Sequence, residues 1–266
     1  MSDKVKEYWD ERAARYANTP AATTNDVYLR ELEIETLTGT LRRLAVSPGE
    51  TVLDVGCGNG YSTLQVAGAF PEVHFLGIDY SEKMIEAARK LLGAQPHLGS
   101  RVAFQVGDVL DITATCGTVT FAVVMTDRCL INLDSFEKQA QAVAQIAAHT
   151  KPGGHYIAIE NFLEGQANMD AARRAIGLEG IPIRWHNLYF TEPGFRAIVE
   201  PFFDCITFHD FSSSYYLATR VIYSAMCKMR GEEPDYHHEI HRLAVKLPWC
   251  GQFSPIRMAV MRRRVA

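Results

Sequence analysis

The sequence lacks the features that would direct it outside the cell or into a membrane. None of its six cysteines stands in a C-x-x-C pair, a pattern typical of reduced thiols rather than of a disulfide scaffold. The N-terminal residues are charged and give no secretory signal, and no apolar run approaches the roughly 20 residues that cross a bilayer. We therefore expect a cytoplasmic protein with no membrane partner.

An excess of positive charge is also missing. The chain has 27 Lys and Arg residues against 31 Asp and Glu residues, for a formal net charge of −4. A mildly acidic chain has no general field to attract nucleic acid, so we expect no nucleic-acid partner. Its 266 residues are 47% hydrophobic and 22% charged, which is sufficient for one globular domain with a buried core.

Three zones follow one another along the chain. The first, up to about residue 44, is predicted to be helical, because aromatic and basic residues recur at spacings of three and four over Tyr8–Tyr16 and Asp26 suits a helix start. The second alternates short β-branched runs with helices, which predicts a parallel sheet covered on both faces. The third holds two more strands around an insert of roughly forty residues with helical stretches. The predicted strands are 51–55, 74–78, 102–106, 119–125, 155–160, 204–210 and 256–262, with a turn at Lys151–Gly154.

The strongest local motif is V-L-D-V-G-C-G-N-G over Val52–Gly60, where a strand becomes a turn and then a helix. Glycines at such a turn let the backbone bend sharply and let a ligand lie against the main chain. The G-x-G-x-x-G fingerprint of dinucleotide-binding proteins is similar. Here, however, the third glycine comes one residue early, and Tyr61 stands where that fingerprint has glycine. The spacing argues against a dinucleotide site.

Acidic residues end the second and third predicted strands. The Asp79 carboxylate can accept hydrogen bonds from both hydroxyls of a ribose, and Ser81 is better suited to cap the next helix. Asp108, in Gly107-Asp108-Val109, can accept from an exocyclic amine. The carboxyl ends of neighbouring parallel strands form ligand sites in doubly wound sheets. Together with the glycine turn, these residues indicate a nucleoside-containing ligand.

With the turn at Lys151–Gly154, these motifs resemble the class I S-adenosylmethionine-dependent methyltransferases, and Tyr8–Tyr16 resembles the helical cover of many members. The resemblance runs from about Tyr8 to Asn161 and returns in the last strand. It implies an α/β fold with a doubly wound, mostly parallel seven-stranded sheet whose last strand is antiparallel. It also implies S-adenosylmethionine as cofactor and S-adenosylhomocysteine as product. The expected single domain comprises an N-terminal helical lid (1–46), a cofactor-binding core (47–161), an acceptor-side cover with a helical insert (162–254) and the last strand (255–266).

Carried over residue by residue, the resemblance assigns the glycines to the methionine moiety, Asp79 to the ribose and Asp108 with Val109 to the adenine. Met125 and Thr126 would lie near the sulfonium. Position 125 begins Met-Thr-Asp-Arg, unlike the N-P-P-Y of many enzymes that methylate nucleic acid or protein. The implied cofactor-binding residues are Tyr8, Trp9, Tyr16, Asp54, Gly56, Gly58, Asn59, Gly60, Asp79, Tyr80, Met84, Asp108, Val109, Met125 and Thr126.

Three residues are candidates for catalysis. His186 lies beyond the fifth strand, and imidazole titrates near neutrality, although a structural histidine is the alternative. Asp127 ends the fourth strand and can orient acceptor or cofactor. Arg128 can hold an anionic acceptor group or can pair with Asp127 or Glu160. We expect no metal, because the histidines at 237, 238 and 241 do not form H-E-x-x-H and lack an evident third ligand.

The resulting hypothesis is O- or N-methylation of a soluble small molecule, with similarity in the carboxyl half to methyltransferases of sugar or secondary-metabolite assembly. A transferase for RNA or protein, a cofactor-binding protein without turnover and a nicotinamide oxidoreductase are the alternatives. A homodimer is left open. The sequence does not identify the acceptor or the methylated atom.

Overall fold

The computed structural model describes residues 3–16 and 19–265, except for the side chains of residues 3 and 20. A seven-stranded sheet with the order β3-β2-β1-β4-β5-β7-β6 forms its centre. Neighbouring strands among β1 to β5 pair in parallel, and β7 pairs antiparallel with β5 and β6. The α/β sheet with an antiparallel last strand is therefore confirmed. The strands are β1 (Thr51–Val55), β2 (His74–Asp79), β3 (Val102–Val106), β4 (Phe121–Asp127), β5 (Thr150–Asn161), β6 (Phe203–His209) and β7 (Ile256–Arg263).

Helices precede the sheet, connect its strands and fill the insert between β6 and β7. Within the described ranges, no helix has both the length and the apolar character that crossing a membrane requires. The helices are α1 (Asp3–Tyr16), α2 (Val27–Leu44), α3 (Tyr61–Gly68), α4 (Glu82–Gly93), α5 (Ile112–Cys116), α6 (Phe136–His149), α7 (Leu163–Ala175), α8 (Glu192–Val199), α9 (Ser213–Tyr216), α10 (Ser224–Arg230) and α11 (Glu239–Ala244), with a π-helix at Leu217–Tyr223.

The central strands are apolar because both faces of the sheet are covered. Leu53 and Val55 of β1 belong to one core cluster, and Val52 belongs to the cluster on the opposite face. In β4, Val124 belongs to the same cluster as Leu53, and Val123 belongs to the cluster of Val52. Successive side chains of a strand point to opposite faces, so a strand buried on both reads as a continuous apolar run. The two cores hold rigid the strand ends that carry the site.

The fifth strand is longer than its sequence predicts. The predicted turn at Lys151–Gly154 lies within the span of β5, where the pairing with β4 shifts register between Phe121 and Val123. An irregularity of this kind absorbs extra residues without ending the strand. A Cβ on Gly154 would lie 2.7 Å from the Ala122 carbonyl oxygen, so the close approach of the two strands requires glycine there.

Helices α7 and α8 and the π-helix were not predicted from the sequence. Inside the π-helix, Thr219 Oγ1 donates to the Tyr215 carbonyl at 2.7 Å, and Ser224 Oγ donates to the Thr219 carbonyl at 3.3 Å. Hydroxyl groups that bond preceding carbonyls compete with the regular helical pattern. The first helical stretch of the insert is therefore α9, the π-helix and α10 in succession.

Candidate active site

The loop between β1 and α3 requires glycine. Gly56, Gly58 and Gly60 have positive φ values of 75°, 55° and 71°, which residues with a Cβ rarely adopt. A Cβ on Gly58 would also lie 2.8 Å from Thr23 Cγ2, in the segment that joins α1 to α2. Gly56 and Gly58 line a large cavity, whereas a Cβ on Gly60 would meet the Phe104 ring at 2.5 Å. Two of the three predicted glycines thus border space that a ligand can occupy.

Asp79 holds its carboxylate at the wall of the same cavity. Its Oδ2 accepts from the Gly58 N–H at 2.9 Å, and its Oδ1 accepts from the Ser81 N–H at 2.9 Å. Burial raises the pKa of Asp79 to about 6, although both N–H donors lower it. A carboxylate has about four lone-pair positions, so two remain for the hydroxyls of a ribose. Ser81 caps α4, as predicted. The Asp79 carboxylate can therefore accept from a ligand with paired hydroxyl groups.

Three predicted cofactor residues lie in the sheet behind the cavity wall. Asp54 accepts from Thr63 Oγ1 at 2.5 Å, and burial raises the pKa of Asp54 to about 7. Thr126 Oγ1 shares a hydrogen bond of 3.0 Å with the Tyr156 hydroxyl, and Met125 is almost completely buried. These contacts support the strand ends from behind. The direct cofactor roles of Asp54, Thr126 and Met125 stay predictions.

Three other predicted cofactor residues lie in the loops that follow β1 and β3. Asp108 Oδ1 accepts from the Leu110 N–H at 3.0 Å, and Val109 is buried in a core cluster. Asn59 Nδ2 donates to the Thr19 carbonyl at 3.0 Å, which ties the glycine loop to the segment after α1. Asp108, Val109 and Asn59 lie outside the lining of the cavity. Their predicted contacts with the cofactor are untested.

The N-terminal helix lies against the cavity through its aromatic side chains. Trp9 lines the cavity and packs with Tyr16 against Met84, which also lines it. The ring centroids of Tyr8 and His186 are 4.5 Å apart, and those of Trp9 and His186 are 5.8 Å apart. His186 therefore joins α1 to the segment after α7, far along the chain. The structure brings all five of these predicted residues together.

His186 has the electrostatics of a neutral side chain. Burial lowers its pKa to about 4, and the positive charges of Arg184 and Arg12 add to this effect. Its Nδ1 is buried and has no hydrogen-bond partner in the described part of the chain. A general base is most effective when its pKa is near the working pH. The surroundings of His186 favour a packing or binding role over proton abstraction.

Asp127 and Arg128 belong to a network of buried charges at the end of β4. Arg30 Nη1 lies 2.8 Å from Asp127 Oδ2, and Arg128 Nη2 lies 3.0 Å from Glu33 Oε2. Arg128 Nε also approaches Asp127 Oδ1 at 3.5 Å. Burial raises the pKa of Glu33, and the positive charge of Arg128 opposes that rise. Arg128 thus pairs with Asp127, one of the two partners suggested by the sequence, and with Glu33, which sequence reasoning missed.

A second network ties the insert to the start of α2. Asp26 Oδ1 accepts from the Leu29 N–H at 3.0 Å and from the Tyr215 hydroxyl at 2.6 Å, and Asp26 Oδ2 pairs with Arg220. The Tyr215 hydroxyl also lies 2.6 Å from His241 Nδ1. Asp26 and Arg220 line the cavity and are 194 residues apart. Sequence reasoning found Asp26 only as a helix cap and missed Arg220, because no local pattern marks such a distant pair.

Glu160 is fully buried beneath the cavity. Its carboxylate accepts from the N–H groups of Cys129, Leu130 and Ile131 at 3.0–3.3 Å, and burial raises its pKa to about 7. These bonds hold the short 3-10 turn after β4, whose last residue, Asn132, lines the cavity. Glu160 is therefore a structural carboxylate, and it does not pair with Arg128.

One continuous cavity of about 250 Å³ joins these parts. We give names to two groups of the residues that line it. The glycine half is lined by Gly56, Gly58, Asp79, Tyr80 and Met84. The arginine half is lined by Arg30, Arg128, Arg184, Arg220, His186, Tyr189 and Tyr216.

The histidines of the insert have other partners. His238 Nδ1 accepts from the Ile240 N–H at 3.2 Å, and His241 bonds Tyr215. Over residues 3–16 and 19–265, no three His, Cys, Asp or Glu side chains converge to hold a metal ion.

Comparison with known proteins finds a methyltransferase domain in this chain. Residues 46–174 match a family model described as a methyltransferase domain. This methyltransferase domain shares its fold with class I S-adenosylmethionine-dependent methyltransferases of known structure. Structures of this fold have been solved with S-adenosylmethionine or S-adenosylhomocysteine bound.

Relatives with similar sequences match this chain over only part of their own length. An O-methyltransferase of Penicillium expansum is 31% identical over 150 residues, which are 56% of this chain and 48% of that protein. The malonyl-[acyl-carrier protein] O-methyltransferase of Halalkalibacterium halodurans is 25% identical over 174 residues, or 64% of this chain and 61% of that protein. The chain therefore spans about half to three fifths of the length of these curated relatives.

A solved structure shares the fold along nearly the whole chain. The magnesium protoporphyrin IX methyltransferase of Synechocystis, with bound S-adenosylhomocysteine, superposes with a TM-score of 0.62 at 16% identity. The alignment covers 97% of this chain and 98% of that one. At this identity the likeness supports the fold and not the acceptor.

Proposed function

We propose that this methyltransferase transfers the methyl group of S-adenosylmethionine to an oxygen or nitrogen atom of a small molecule enclosed in the cavity. The proposal depends on one observation: the glycine half and the arginine half line the same cavity. Ligand sites are typically preformed clefts with a few convergent polar groups. Cofactor and acceptor would therefore share one space, in which they can be aligned.

The glycine half would hold the cofactor. When bound, S-adenosylmethionine supplies a methyl group on a positively charged sulfur. Asp79, fixed by the N–H groups of Gly58 and Ser81, would accept from the ribose hydroxyls, and the main chain of Gly56 would lie against the methionine moiety. Holding the two reactants in line can contribute about 7–11 kcal/mol to lowering the barrier.

The lid would exclude water from the reacting groups. Trp9 borders the cavity, and Tyr8 packs on His186 from the outside. Exclusion of water strengthens electrostatic contacts inside a site. In this proposal His186 orients the acceptor as a neutral imidazole and anchors the lid, because burial lowers its pKa to about 4.

Asp127 and Arg128 would orient the acceptor through their shared network. Asp127 bonds Arg30 at 2.8 Å and Arg128 at 3.5 Å, so its charge is already partnered. Arg128 borders the cavity and can donate to an acceptor oxygen. These roles depend on position rather than on proton transfer.

The relatives support oxygen as the methylated atom, since two of them are named O-methyltransferases. A metabolite of secondary or sugar metabolism is the acceptor class we favour. The net charge of −4 gives no support to RNA as a substrate. All six cysteines are free thiols, as in a reducing, cytoplasmic compartment. The homodimer stays a prediction.

Calorimetry tests the cofactor first. S-adenosylmethionine and S-adenosylhomocysteine are each expected to bind one to one, and NAD is expected not to bind. Methyl-labelled S-adenosylmethionine is then incubated with the small-molecule fraction of a cell extract, and incorporation is followed by mass spectrometry. Tight binding of NAD, without binding of the other two ligands, would contradict S-adenosylmethionine as the cofactor. Binding without incorporation would favour a cofactor-binding protein that does not turn over.

A further inference from the structure

The arginine half carries more positive than negative charge. Arg30, Arg128, Arg184 and Arg220 line the cavity there, and the carboxylates that neutralise them are Asp26, Glu33 and Asp127. Four cations against three anions leave one positive charge. Burial raises the pKa of Glu33, so any protonation of that carboxyl group increases the excess.

The excess charge lies on Arg184. Arg30 and Arg128 pair with Asp127 and Glu33, and Arg220 pairs with Asp26. Arg184 is exposed at the cavity, and within the described ranges no carboxylate lies within 4.0 Å of its guanidinium. A guanidinium with unused donors matches the geometry of a carboxylate.

Two phenol groups add further donors beside the arginines. Tyr189 is close enough to Arg128 and Arg184 for both positive charges to act on its hydroxyl, and Tyr216 has the same relation to Arg128 and Arg220. Burial nevertheless raises the pKa of both tyrosines. Both hydroxyls therefore remain protonated and able to donate. Phenol and guanidinium donors that face one space form a site for an anion.

The candidate bases are poorly suited to deprotonating an alcohol. Asp127 is held between Arg30 and Arg128, and burial lowers the pKa of His186 to about 4. Methylation of a hydroxyl gains roughly a hundred- to ten-thousandfold from a general base. An acceptor that is already ionised at neutral pH requires no such base.

We propose that the acceptor presents a carboxylate to Arg184, Tyr189 and Tyr216, and that this carboxylate is the group that is methylated. A carboxylate oxygen attacks the methyl carbon, a carbon–oxygen bond forms, and the carbon–sulfur bond breaks with its electron pair going to sulfur. The products are a neutral methyl ester and S-adenosylhomocysteine, and no proton is released. The proposal rests on the proposed methyl transfer and specifies its acceptor.

The stability of the product to alkali distinguishes the possibilities. Labelled S-adenosylmethionine is incubated with the enzyme and the small-molecule extract, and half of the product is treated with mild alkali. Methyl esters release the label as volatile methanol, whereas ethers and N-methyl groups retain it. We expect most of the enzyme-dependent label to become volatile. Label that survives alkali would contradict a carboxylate as the methylated group, but it would still support methyl transfer. The absence of any incorporated label would contradict both the proposed methyl transfer and the carboxylate acceptor.

Variants test the three donors with the same extract. Arg184→Gln, Tyr189→Phe and Tyr216→Phe are each expected to raise the extract concentration that gives half-maximal rate by about three- to tenfold, since each removes one charge-assisted or neutral hydrogen bond. The maximal rate should change less than twofold. Tyr61→Phe, outside the cavity lining, is the matched control. Half-saturation unchanged in all three variants would overturn the proposal.

A binding measurement completes the test without turnover. With S-adenosylhomocysteine present, benzoate should bind at least tenfold more tightly than benzamide, and Arg184→Gln should abolish that preference. Equal binding of the two probes, or a preference that persists in Arg184→Gln, would contradict the assignment.

Discussion

The glycine half and the arginine half of the cavity are constructed in opposite ways. Gly56 and Gly58 follow β1, Asp79 ends β2, and the Gly58 N–H donates directly to the Asp79 carboxylate. In the arginine half, Asp26 pairs with Arg220 across 194 residues, and Arg30 pairs with Asp127 across 97. A short motif can therefore carry the cofactor end, whereas the acceptor end exists only in the folded chain.

The largest effect is expected when a buried carboxylate that pairs with arginines of the arginine half is removed. Glu33→Ala should lower the free energy of unfolding by about 3–5 kcal/mol, because it removes one partner from a buried ion-pair network that includes Arg30 and Arg128. Urea unfolding at neutral pH measures the change. Glu35→Ala, exposed on the same helix, should stay within about 0.5 kcal/mol of the wild type. A loss no greater than that of the control would mean that the network contributes nothing to stability.

In the glycine half, Asp79→Ala should weaken the binding of S-adenosylmethionine at least about tenfold, or about 1.4 kcal/mol. The ribose hydroxyls would lose a charged acceptor, and Gly58 would lose the carboxylate that fixes its N–H. Calorimetry measures the dissociation constant. Asp134→Ala, exposed and outside the cavity lining, is the control. Unchanged affinity in Asp79→Ala would show that the ribose lies elsewhere.

The same carboxylate predicts how cofactor affinity depends on pH. Burial raises the pKa of Asp79 to about 6, and only the ionised form offers the full set of acceptors. Affinity should be constant above pH 7 and fall as the pH drops through 6, with a dissociation constant at pH 5 roughly tenfold above that at pH 8. The Asp79→Asn variant should bind weakly with no such slope. A wild-type curve that stays flat down to pH 5 would count against Asp79 as the ribose acceptor.

The smallest effect concerns the contact that joins the lid to the arginine half. His186→Ala should lower kcat/KM for the acceptor about fivefold, because an aromatic pair contributes about 0.5–1.5 kcal/mol beyond its buried area and Tyr8 would lose this partner. The affinity for S-adenosylmethionine should stay within twofold. His209→Ala, outside the cavity lining, should leave both values unchanged. Normal turnover in His186→Ala would remove this residue from the mechanism.

The difference between the two halves also explains which features could be predicted from the sequence and which could not. Alternating apolar runs predict the sheet, because burial on both faces leaves a local signature, and the glycine turn and Asp79 follow from their places at strand ends. Helices α7 and α8 were missed, and so was the π-helix, which depends on hydroxyl groups such as Thr219 Oγ1 bonding backbone carbonyls. The partners of Arg128 and Arg220 were missed or left open because such pairs depend on tertiary contact.

A crystal structure of the protein with S-adenosylhomocysteine tests the central claim most directly. The ribose hydroxyls should lie within hydrogen-bonding distance of Asp79, and the thioether sulfur should face the arginine half across the same cavity. A ligand bound elsewhere, or a sulfur separated from Arg128 and Tyr216 by protein atoms, would contradict the joining of the two halves in one active site.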